Sequence, residues 1–95
     1  MASLFTRPEP NLIVSNSGFS VKILGRTGLQ YCENNKELFI DSEVLAEPGI
    51  AIFSRSIKAW SPPFEHEHIS ESQKQKIIKN IKKAIEFCGE RVEVL

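Results

Sequence analysis

One stretch of this chain repeats with helical period. Between Gln73 and Cys88 the apolar residues Ile77, Ile78, Ile81, Ala84, Ile85 and Cys88 fall on one stripe. Such a stripe must be covered by another apolar surface. Lys74, Lys76, Lys79, Lys82 and Lys83 take the remaining faces. Ser70 with Gln73 has the spacing of a capping box, Glu71 complements the helix dipole, and Gly89 is placed to end the helix. A single helix cannot cover itself, so the rest of the chain must supply its partner.

The rest alternates with period two, the pattern of half-buried strands. Phe19, Val21 and Ile23 share one side; Leu29 and Tyr31 do the same in the next segment. Leu38, Ile40, Ser42 and Val44 oppose Glu37, Phe39, Asp41 and Glu43. Ile50 to Ser54 is mostly apolar and suits a central strand, which Ser56 to Trp60 could extend. Ser15-Asn16-Ser17-Gly18, Gly25-Arg26-Thr27-Gly28, Asn34-Asn35 and Glu47-Pro48-Gly49 supply turns. Asn11 to Val14 can add a short strand, and Arg91 to Leu95 a last one with Val92 and Val94 inward. Residues 1–10, polar with two prolines, suggest an extended arm or frayed terminus. The expected fold is therefore α+β: an arm over 1–10, then one domain over 11–95. In that domain a small antiparallel sheet of about five strands packs against one C-terminal amphipathic helix, which a short strand follows.

The charge balance narrows function. Twelve basic and twelve acidic residues cancel, whereas nucleic-acid binders usually carry a basic excess. The charges are segregated all the same. Glu33 to Glu47 holds five acids and one base; Gln73 to Ile85 holds five lysines and no acid. Opposed solvated faces are the simpler reading, and a face built for a partner is the sharper one. The first residues lack the apolar core of a signal peptide, and no run approaches ~20 consecutive apolar residues. With only two cysteines, this favours a cytoplasmic protein with free thiols.

Catalytic motifs are sparse. His66 and His68 alternate, but a catalytic zinc takes three protein ligands and these are the only histidines, so no metal site is expected. Gly25 to Gly28 lacks the phosphate-loop pattern and precedes a strand. Cys32 and Cys88 have no histidine partner in view and suit small core positions. No catalytic residue and no cofactor are expected. Binding residues are easier to name. Glu37, Phe39, Asp41 and Glu43 form an acidic outer face with one aromatic. Arg26 at a hairpin tip can grip a carboxylate. Trp60 can serve as an anchor, although packing as a lid against Pro62 and Pro63 is the simpler reading, and Arg55 can stack on it.

Several segments, in order, carry a family resemblance: Leu24 to Tyr31, Ile40 to Leu45, Gly49 to Phe53, Ser56 to Pro63, and the helical Ile77 to Ile81. Over residues of about 18 to 94 the chain resembles the bacterial immunity protein 74 family of polymorphic toxin systems. The resemblance implies a non-enzymatic protein that binds and neutralises a cognate toxin, with no cofactor; it assigns no site residues. The alternative is a homo-oligomeric structural or regulatory interaction module.

Overall fold

A computed structural model describes residues 4–46 and 48–95. In chain order these form β1 (Phe5–Glu9), β2 (Leu12–Ser15), β3 (Phe19–Ile23), β4 (Gly28–Glu33), β5 (Lys36–Val44) and β6 (Gly49–Ile52). A 3-10 turn (Ser54–Ser56), a helix α1 (Glu71–Phe87) and β7 (Arg91–Val94) follow. The strands lie in one sheet in the order β1-β2-β3-β4-β5-β6-β7. Neighbours are antiparallel except β6 and β7, which run parallel because α1 carries the chain back between them.

The fold is α+β as expected, but the sheet has seven strands. The uncounted one is β1. Phe5–Glu9, expected as an arm on the strength of its prolines, is extended and pairs with β2, Phe5 opposite Ser15 and Glu9 opposite Leu12. Its register slips between Thr6 and Glu9, around Pro8. An edge strand tolerates proline because its outer side has no ladder bond to lose. Residues 1–3 of that expected arm, and Glu47 of the expected turn, lie outside the described residues.

β5 shapes the sheet. Lys36 to Asp41 pair with β4, whereas Ser42 to Val44 pair with β6. This stagger along one long strand curls the sheet about α1. The turn before β5 is a two-residue hairpin, with Asn34 and Asn35 at φ 54° and 64°, where asparagine is tolerated. Beyond β6, Ser56 to Trp60 does not prolong the strand. It begins in the 3-10 turn and makes a single bridge, Ala59 to His68. Ile57 and Trp60 from this segment are buried and join the core.

Strand alternation and helix stripe meet as the sequence demands. Ile77, Ile78, Ile81, Ala84 and Ile85 of α1 belong to one contiguous core with Ile13, Val21, Leu29, Tyr31, Leu38, Ile40, Ile50 and Ile52. The helix begins in a capping box: the Gln73 N–H donates to Ser70 Oγ at 3.1 Å, and the Ser70 N–H donates to Gln73 Oε1 at 3.0 Å. It ends at Gly89, whose φ of +82° costs a residue without a Cβ nothing. Two expected inward residues are exposed. Val44 is exposed at the β5–β6 hairpin, and Val94 is 43% exposed on the last strand of the sheet. Inward direction buries a side chain only where something lies over it.

Tyr31 is the polar point in this core. Its ring is fully buried and stacks on Phe19 at 5.7 Å and on Trp60 at 6.4 Å. Its hydroxyl accepts from Asn80 Nδ2 at 2.9 Å and donates to Glu33 Oε1 at 2.8 Å. Lys76 Nζ lies 3.3 Å from Glu33 Oε2. Burial, more than the neighbouring Glu33 charge, holds the Tyr31 phenol well above its ordinary value of 10.0, against the opposing effect of the Asn80 hydrogen bond.

Two outcomes are expected. Ile81→Ala should cost about 2–5 kcal/mol, because Ile81 is fully buried, and a denaturant midpoint checks it. Tyr31→Phe should cost about 1–3 kcal/mol at neutral pH by leaving the Asn80 amide and Glu33 short of a partner. The pH dependence has a definite sign. The folded chain keeps the phenolic proton where the unfolded chain has released it. Folding stability therefore falls as pH rises above about 10, and Tyr31→Phe should flatten that fall in alkaline unfolding curves.

Candidate functional site

The convex face of the sheet carries the charged row of β5. Glu37, Phe39, Asp41 and Glu43 are all exposed, alternating with buried Leu38, Ile40 and Ser42. Strand geometry places this row on one surface. Across the ladder Phe39 faces Gln30, which faces Lys22. Glu37 faces Cys32, which faces Ser20. Asp41 faces Gly28. No ion pair among the described residues holds Glu37, Asp41 or Glu43.

Phe39 is half exposed, the largest apolar group in this row. Its ring lies diagonally over Gly28. A Cβ placed on Gly28 would sit 2.6 Å from Phe39 Cε2 and 2.8 Å from Cζ. Glycine is thus needed at position 28 for close approach, where the sequence pattern offers only a turn residue. The available signal is a glycine that opens a strand beside an aromatic two rungs away.

The other end of β5 gathers further candidates. A hollow of about 290 Å³ is lined by Thr27, Asp41, Ser42, Glu43, Phe53 and Arg55. Arg55 lies over Phe53, its guanidinium carbon 5.6 Å from the ring centroid, and not on Trp60. The Arg26 loop lies alongside, since the Arg26 carbonyl accepts the Val44 N–H at 3.2 Å. Glu37, Phe39, Asp41, Glu43, Arg55 and the Arg26 loop therefore border one surface.

Trp60 is elsewhere. It is 7% exposed and packed on Tyr31. Lys36 Nζ stands 5.9 Å from its ring and 5.3 Å from that of Phe64, and is paired with Glu67 at 2.6 Å. The indole closes one end of the core.

Cys32 is also displaced from expectation. It lies half-buried on the convex face, not in the core. Burial raises its thiol pKa, the Glu37 charge adds to this, and a hydrogen bond with Ser20 opposes it. A protonated thiol is a poor nucleophile. Cys88 is half-buried against the core. Both thiols are free. His66 and His68 occupy the loop before α1, and no cluster of three or more metal-binding side chains occurs among the described residues. The convex face thus carries one exposed aromatic, three carboxylates with no ion-pair partner among the described residues, and a rim of Arg26, Arg55 and Lys22.

Compared with known families, residues 16–94 match the one described as Immunity protein 74. Comparisons with curated proteins and with solved structures give no match.

Gly28→Ala should leave the fold stable to within about 0.5 kcal/mol, because the clash is with the far end of a surface ring. It should still move Phe39 off the sheet, and a changed set of Phe39 ring proton shifts in an otherwise unaltered NMR spectrum would report it.

Proposed function

The chain belongs to the Immunity protein 74 family, and from that premise we propose that it binds and neutralises a cognate protein toxin through the convex face of β5. The observation that carries this reading is the row Glu37, Phe39, Asp41 and Glu43, exposed and with no ion pair among the described residues, around a ring seated on Gly28. An aromatic anchor with a polar rim is the usual anatomy of a protein contact. Three carboxylates on one strand suit a basic partner, as found in toxins that act on nucleic acid. Such clefts bind phosphates, and an inhibitor's carboxylates can occupy the same positions.

Neutralisation of this kind needs occupancy and no bond chemistry. The protein acts by binding, and no residue is assigned a catalytic role. Among the described residues no helix is long and apolar enough to cross a membrane. Free thiols suit a reducing compartment and support a reading in which the protein acts in the cytoplasm, against a toxin made by the same cell.

The test is charge reversal. A Glu37→Lys, Asp41→Lys, Glu43→Lys variant should keep its thermal midpoint yet fail to protect cells that express the cognate toxin. Its association rate with that toxin should fall and respond differently to salt. Protection by that variant, together with loss of protection on reversing Lys76, Lys79 and Lys83, would move the toxin contact to α1.

A further inference from the structure

We infer that the outer edge of β7 is a second docking site, which takes an extended acidic segment of a partner protein as an added strand. β7 is the last strand in the sheet, and its one pairing is with β6. The Leu95 N–H donates to the Ile52 carbonyl at 2.8 Å, and the Leu95 carbonyl accepts from the Ser54 N–H at 2.9 Å. Backbone groups change sides at each residue along a strand. Arg91, Glu93 and Leu95 therefore face β6, and the N–H and C=O groups of Val92 and Val94 face away. No described strand pairs with them. The opposite edge differs: β1 is interrupted by Pro8 and its slipped register, common ways to blunt an edge.

The surroundings of this edge specify the occupant. A hollow of about 570 Å³ lies between β7 and α1, with Lys74, Lys79 and Lys82 on its wall and Ile78 and Val94 as its apolar part. None of the three lysines has an ion-pair partner among the described residues. Glu71 is the one acid in the lining, and it accepts from Gln75 Nε2 at 3.0 Å. A strand added to β7 would lie ~4.8 Å from it and send alternate side chains into this hollow. Carboxylates flanking an apolar residue match lysines flanking Ile78 and Val94. A second copy fits less well, since pairing through β7 would bring two lysine-bearing flanks together. Nucleic acid fits less well too, because no aromatic lines the hollow to stack a base.

The site is separate from the convex face, so either can fail alone. The experiment titrates the isotope-labelled chain with a short peptide that alternates threonine with glutamate, valine and glutamate in turn. Saturable shifts of the Val92 and Val94 amide resonances are expected. Val94→Pro removes an outward N–H while sparing the β6 ladder, and should abolish them. Lys74→Glu, Lys79→Glu, Lys82→Glu should weaken binding at least tenfold. If Val94→Pro does not fold, the same peptide N-methylated on its β7-facing amides replaces it and should not bind the unaltered protein. Absence of saturable shifts, or full binding of the N-methylated peptide, overturns the inference. So does a dimer in light scattering that already protects these amides, or an oligouridine that shifts them equally well.

Discussion

The placement of Tyr31 under α1 is what the rest of the structure depends on. A stripe of isoleucines can slide or roll over an apolar sheet at little cost, because dispersion contacts have no direction. The Tyr31 hydroxyl does have direction. It takes the Asn80 amide from the helix and gives its proton to Glu33 on its own strand. If α1 turned or shifted by a residue, the Asn80 amide would lose its partner on the sheet while the phenol kept only its bond to Glu33. One hydrogen-bonded pair thus sets helix rotation and height, and Lys76 on Glu33 follows one turn away. With α1 seated, the concave face is closed, and the convex face of β5 must be the wet one.

Much of this was legible in the residues. The helix, its capping box and its glycine end follow from local rules that tertiary contacts do not override. The alternation of β5 assigns Glu37, Phe39, Asp41 and Glu43 to one side without any knowledge of the partner strands. Less local features were not legible. β1 exists because β2 offers it an edge, and the proline at position 8 argues against a strand until the strand is known to be outermost. Val44 and Val94 alternate inward but are exposed, because period two reports direction and not cover. Trp60 was open to two readings, and a buried stack on Tyr31 decides for the core. The seat of Phe39 on Gly28 spans two strands, so no window of sequence contains it.

The two charged surfaces are consequences of that architecture. A sheet covered on one side by one helix has two wet surfaces, the convex face and the outer helix. Here Glu37, Asp41 and Glu43 lie on the first and Lys74, Lys76, Lys79, Lys82 and Lys83 on the second, with neutral net charge overall. Opposed fields of this kind orient an approaching partner before contact and discourage the wrong surface from docking. Membership in the Immunity protein 74 family is consistent with a use for such orientation, since a binding protein that neutralises a toxin must meet it quickly.

The central claim, that the β5 face meets the toxin, is tested most directly by a photo-reactive phenylalanine analogue at position 39. The native side chain there is already an exposed aromatic ring, so the probe disturbs little. Co-expression with the cognate toxin and irradiation should yield a covalent adduct of the two chains from position 39. An adduct from the same probe at position 79 on α1, with none from position 39, would contradict the account.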